Sequence, residues 1–174
     1  MARQIALLRG VNVGAKKVAM ASLREVFAEL GFTDIKTYVN SGNVVFSGRS
    51  ASVNKVEAAI EAAFGFDVPV VIRTAAELAK VVETNPLAAV ATNASRYLVL
   101  FSGGGTIDAR KAEGVAVGKG ESYEIVGSEA YLWLPDGIHA SPLVKGLTEK
   151  RLGVAPLTGR NWRTCEKLLA LADA

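Results

Sequence analysis

The sequence predicts an α+β fold in two halves, a ferredoxin-like βαββαβ first half and a smaller βαββα second half with a terminal helix. Three observations carry this expectation. Strand-like and helix-like apolar spacings alternate in the order βαββαβ through residues 1–74. A loop rich in alanine, threonine and asparagine follows Asn85-Pro86 and marks a seam. Beyond it, strand, short helix, two strands and helix recur, a degraded copy of the first order with no residue-level repeat. Two subdomains are therefore expected, 1–74 and 75–174, with the terminal helix packing back.

Each element has its own signal. Gln4 to Leu8 reads as a short buried strand. Leu23, Val26, Phe27 and Leu30 then recur at helical spacing, with Ser22 and Glu25 as a capping box and Gly31 as the stop. "DIKTYVNSGNVVFSG" is a hairpin about a tight Ser41-Gly42 turn. Val53, Val56, Ile60 and Phe64 mark a second amphipathic helix, and Val68 to Arg73 a β-branched strand. "TAAE" (74–77) is another capping box, opening a helix that ends before Asn85-Pro86.

In the second half "RYLVLFS" is a strand, followed by three glycines and a short helix around 107–112. "SYEIV" and "AYLWL" pair across Gly127-Ser128. Ser141-Pro142 is an N-cap with proline at the first helical position, and Gly153 closes that helix. A last helix from Arg160 onward aligns Trp162, Cys165, Leu168, Leu169 and Ala172.

Composition narrows the function classes. Of 174 residues half are apolar and 21% charged, which excludes disorder and gives a core that needs neither disulfide nor metal. The net charge of +3 and pI near 9.1 permit an anionic partner, but the basic residues come only in pairs, sparser than a nucleic-acid stripe. One cysteine rules out an intrachain disulfide and favours a reducing cytoplasm. "MARQIALLRG" is too soon broken by polar residues for a signal peptide, and no apolar stretch nears the roughly 18 residues of a membrane span.

Several chemistries lack their residues. One histidine and one cysteine cannot build a four-ligand zinc site of cysteine and histidine. His139 lies in the loop "DGIHASP" with no "GxSxG" elbow to serve, and Cys165 sits on an apolar helical stripe as a small core side chain. "GVNVGAKK" misses the triphosphate loop, with Ala15 for its second glycine and Lys17 for its hydroxyl. The first and third strands offer one aromatic, Phe46, which alternation sends to the core, so no base-stacking platform is expected.

One stretch carries positive chemistry. In "LLRGVNVGAKK", Arg9 offers a planar donor fork, Gly10 and Gly14 free the backbone to turn its N–H groups toward a ligand, and Asn12, Lys16 and Lys17 add an amide and charge. In a ferredoxin-like sheet this loop meets the start of the third strand, so "NSGN" (Asn40, Ser41, Gly42, Asn43) would share its rim. A third segment, "LTGRNW", would present Arg160 outward beside a Thr158 or Asn161 cap, and could complete a cleft between the halves.

With these segments in view, the chain resembles a bacterial family of uncharacterised proteins, the domain of unknown function 1697 family. The matching stretches are "ALLRGVNVG" (6–14), "TYVNSGNVVF" (37–46) and "GRNW" (159–162). The resemblance implies an α+β fold of two subdomains in a small cytoplasmic protein, and brings no activity or cofactor. It maps the family's motifs onto Arg9, Gly10, Asn12, Gly14, Ser41, Gly42, Asn43, Arg160 and Asn161. Asn40 replaces a usual glutamine, and Ala140 and Pro142 in "HASPL" stand where the family carries basic residues.

The expected function is binding of a small phosphate-bearing or nucleotide ligand at the loop after the first strand. Two alternatives are an acylphosphatase-like hydrolase, with Arg9 on phosphate and Asn40 positioning water, and a sequence-independent nucleic-acid module.

Overall fold

Period-two alternation builds the first sheet. In a computed structural model describing residues 2–174, strands β1 (Ala2–Leu8), β2 (Thr33–Thr37), β3 (Asn43–Gly48) and β4 (Val70–Thr74) run in the order β2-β3-β1-β4. Every pair is antiparallel. Ala6, Leu8, Val44 and Phe46 face α1 (Met20–Glu29) and α2 (Val53–Phe64), where Leu23, Phe27, Val56 and Ile60 complete one core. Phe46 belongs there, its ring 5.0 Å from Phe27 and 4.6 Å from Phe32. Ile5, Leu7, Val45 and Val71, on the opposite face, are buried too, so the strands read as apolar runs.

Two expectations about this half change. The first helix opens at Met20 after Ala19, which offers no side-chain cap, so Ser22 and Glu25 form no capping box. Its start is set instead by Asn12, whose amide holds Val18 at both its N–H and its carbonyl. The hairpin is not a tight two-residue turn: residues 38–42 separate the strands, and Tyr38 N–H reaches the Asn43 carbonyl at 3.1 Å across their base.

The second sheet holds β5 (Tyr97–Ser102), β6 (Ser122–Val126), β7 (Glu129–Trp133) and β8 (Leu157–Asn161), in the order β6-β7-β5-β8, again antiparallel. Strand by strand this is the order of the first sheet. The last strand was expected to be the start of a helix. "LTGRN" instead pairs along β5, and its burial alternates with Thr158 and Arg160 inward. The connecting helices are short, one 3-10 turn (Ala109–Ala112), α4 (Pro142–Gly146) and α5 (Glu149–Leu152). Ser141 caps α4 as expected, its hydroxyl accepting from Val144 N–H at 3.0 Å. The single helix expected up to Gly153 is broken at Leu147, and Thr148 caps the second piece.

Strands β4 and β8 run without a loop into α3 (Ala75–Thr84) and α6 (Trp162–Asp173). The "TAAE" box forms in full: Glu77 accepts from Thr74 N–H at 2.8 Å, and Thr74 Oγ1 from Glu77 N–H at 3.1 Å. The chain separates into two units, Met1–Lys80 with Lys167–Ala174, and Val81–Glu166. By contacts the partition falls inside α3 and α6. Among the described residues no helix is long and apolar enough to cross a membrane.

Candidate functional site

The corner where β1 ends is built by short, specific bonds. Leu8 N–H donates to the Gly42 carbonyl and Arg9 N–H to the Pro69 carbonyl, both at 2.9 Å. The first bond ties the loop to the hairpin tip and the second ties it to the lead-in of β4. Gly42 has no substitute here. Its φ is +88°, and a Cβ would lie 2.7 Å from Leu8 Cβ and 2.8 Å from Val11 Cγ2.

Asn12 is the pin of the loop. Its Nδ2 donates to the carbonyls of Val18 (2.9 Å) and Asn40 (2.6 Å), and its Oδ1 accepts from Val18 N–H (2.9 Å). Both amide hydrogens are spent on the chain itself, so Asn12 shapes the site and its side chain is no donor for a ligand. Asn43, fully buried, works the same way, donating to the Tyr38 carbonyl and to Ser41 Oγ at 2.9 Å each. The motif asparagines and Gly42 therefore build the rim, and the expected meeting of loop and hairpin is present.

The loop backbone has an uncommon signature. φ is positive at alternate residues, Gly10 (+70°), Asn12 (+56°) and Gly14 (+64°). Positive φ at alternate residues is a feature that anion-binding nests share. Asn12 N–H is itself taken, donating to the Lys16 carbonyl at 2.7 Å. Around it Arg9, Lys16, Lys17, Asn40 and Ser41 are exposed. Lys16 Nζ rests 3.2 Å from the Asp67 carbonyl and 5.9 Å from the centre of the Phe66 ring.

Two apolar tips flank the cations, and sequence reasoning missed both. Val13 is 72% exposed and Val39 50%. Val39 also has φ +50°, an uncommon conformation for a β-branched residue. No periodic pattern marks single valines in polar loops.

The third predicted segment has another role. Arg160 does not point to solvent; it is 7% exposed within β8 and donates to Thr158 Oγ1 (2.9 Å) and the Gly159 carbonyl (2.8 Å). Burial pulls its guanidinium down to about 10, against the opposing pull of Cys165, and burial pushes the Cys165 thiol up to about 12. Asn161 does cap α6, accepting from Thr164 N–H at 2.9 Å. Trp162 stacks on Tyr97 with ring centres 4.6 Å apart. This segment is a structural joint of the second unit. Among the described residues no cluster of three or more acidic, histidine or cysteine side chains could hold a metal ion.

A pair of four-stranded antiparallel sheets in the same strand order, with a pinned glycine loop after the first strand, defines a two-unit α+β protein. Comparison gives the family: residues 1–131 match DUF1697, described as a protein of unknown function, and the chain belongs to it. A conserved bacterial protein, SP0830 from Streptococcus pneumoniae, has a similar fold, with a TM-score of 0.79 at 23% identity over 100% of this chain and 99% of that one. No curated protein matches.

Proposed function

We propose that this protein binds a small anionic, phosphate-bearing ligand at the corner after β1. The single observation behind this reading is the alternation of positive φ at residues 10, 12 and 14 in a loop whose neighbours Arg9, Lys16 and Lys17 are exposed cations. Peptide N–H groups of such a loop can supply partial positive charge, and the three side chains add full charges. Gly10 and Gly14 provide the backbone freedom, Ser41 a hydroxyl at the rim, and Asn12, Gly42 and Asn43 the scaffold. Arg160 and Asn161 are left out of this site, one being buried and the other a helix cap. The order β2-β3-β1-β4 with helices after β1 and β3 supports the ferredoxin-like reading of the first unit. A cytoplasmic setting accords with a single buried thiol.

The test is a thermal-shift panel of nucleotides, sugar phosphates and inorganic phosphate. A stabilising ligand is expected, and Arg9→Ala should remove its effect while leaving the unliganded Tm within a degree or two. Equal shifts in wild type and variant, or none, would overturn the reading.

Hydrolysis of an acyl phosphate at the same corner is the second reading. It rests on Asn40, which is exposed and whose carbonyl is bonded to the Asn12 side chain, tying the hairpin to the loop that begins at Arg9. Turnover of acetyl phosphate that disappears in both Arg9→Ala and Asn40→Ala would favour it. A nucleic-acid module would instead bind oligonucleotides with an affinity falling steeply as salt rises.

A further inference from the structure

At the opposite end of the first sheet, where β1 begins and β3 ends, lies a cavity of about 340 Å³. It opens between the end of α1, the turn leaving β3 and the first turn of α2. Its volume falls at the lower end of the roughly 300–1,000 Å³ typical of small-molecule sites.

The walls divide by chemistry. The half-buried Phe32 ring and the buried Val56 give an apolar floor. Phe32 is held firmly, its ring 4.6 Å from Phe46 and 6.1 Å from Phe27. Gly48 lets the strand lie against that ring, since a Cβ there would come within 2.7 Å of Phe32 Cδ1. The upper rim carries Arg49, Ser52 and Lys55, all exposed, and no carboxylate lines the cavity.

The turn that carries Arg49 is fixed from below. Gln4, 3% exposed, donates from Nε2 to the Arg49 carbonyl and accepts from Ala51 N–H at Oε1, each at 2.9 Å. A buried side chain is thus committed to the shape of residues 49–51. The adjoining helix end would not define a site by itself, because Ser52 Oγ already accepts from Lys55 N–H at 3.4 Å. A concave volume, an aromatic floor and two exposed cations with no carboxylate in the lining do.

We propose that this cavity is a second ligand site, for a small molecule that joins one anionic group to a flat apolar body, of the size of benzoate or phenyl phosphate. The ring of the ligand would lie against Phe32 and Val56, with its carboxylate or phosphate between Arg49 and Lys55. This site is independent of the corner after β1: it uses none of the same residues and lies at the other end of β1.

The experiment is an amide-shift titration of the ¹⁵N-labelled full chain with benzoate, phenyl phosphate and inorganic phosphate in turn. At least one aromatic anion should give saturable shifts at residues 48–56. A variant joining Arg49→Ala with Lys55→Ala should weaken that binding about tenfold, the worth of a lost charge-assisted contact. Phe32→Leu should weaken it less, and Arg9→Ala should leave it unchanged. A stronger response to phenyl phosphate than to benzoate assigns the anionic group as phosphate, and the reverse as carboxylate. The proposal falls if neither aromatic anion shifts these amides, if the double variant binds as wild type, or if inorganic phosphate binds as tightly as both. Both altered cations are on the surface, so the variant should fold, and unchanged amide dispersion outside residues 48–56 checks that.

Discussion

The same corner is built twice in this chain, once with an arginine at the strand end and once with a glycine. In the first unit, Leu8 N–H and Arg9 N–H donate to the carbonyls of Gly42 and Pro69; in the second, Ser102 N–H and Gly103 N–H donate to those of Ser128 and Pro156. Each pair ties the end of a central strand to a hairpin tip and to the proline before the last strand. Strand order is the same as well. Where the first unit places Arg9, however, the second has Gly103. Where the first extends its hairpin through residues 38–42, the second turns tightly at Gly127 and Ser128. Gly104 packs so closely that a Cβ would lie 2.9 Å from the Ala155 backbone. The second connection also carries a basic pair, Arg110 and Lys111, but has only glycine where the first has Arg9. The scaffold, then, does not demand an arginine at the strand end, which is the argument for a role of Arg9 there.

That contrast can be broken by substitution. The largest effect should come from Gly42→Val, which adds a branched side chain at φ +88° against Leu8 and Val11. A loss of about 3 kcal/mol or more in denaturant unfolding is expected, whereas Gly127→Val, at φ +60° with open space around it, should cost about 1 kcal/mol. Comparable losses at the two tips would mean that the corners are not built differently. Asn12→Ala comes next. It removes three hydrogen bonds and leaves the Val18 backbone groups without their partner, for about 2 kcal/mol and faster amide exchange across residues 10–18.

Alkaline titration sharpens the comparison from the side of the second unit. Burial raises Cys165 and Tyr97 to about 12, above the ordinary 9.0 and 10.0. Their protonated forms are favoured on folding, so that stability is complete below pH 9 and is lost as pH climbs toward 12. Arg160, lowered to about 10, acts in the opposite sense between pH 10 and 12.5. Stability should begin to fall above pH 9, and Cys165→Ala should delay the fall, as followed by Trp162 fluorescence. The smallest effect concerns reactivity: the Cys165 thiol, 1% exposed, should resist a maleimide in the native state and react once denatured.

How much of this was legible depended on where the information lay. Local hydrogen-bond chemistry was readable: the "TAAE" box, the Ser141-Pro142 cap and the core place of Phe46 follow from residue type and spacing. The approach of "NSGN" to the loop after the first strand followed from topology. The strand "LTGRN" was hidden because its inward residues, Thr158 and Arg160, are polar, so no apolar alternation announces it, and because it passes into α6 without a turn residue. The capping role of Ser22 failed because Asn12, in the loop ten residues earlier, holds the chain at Val18 and the helix opens at Met20 without a side-chain cap. Arg160 looked like a surface donor because arginine side chains are mostly exposed, and only the pairing of β8 with β5 buries it. The cavity at Phe32 was invisible because its walls come from three separate segments.

One consequence concerns synthesis. The segment Lys167–Ala174 belongs to the first unit, where Arg3 donates to the Ala174 carbonyl at 2.7 Å. During translation the ribosome delivers residues 81–166 of the second unit before that segment exists, so the contacts it makes with the first unit form only after the second has been made.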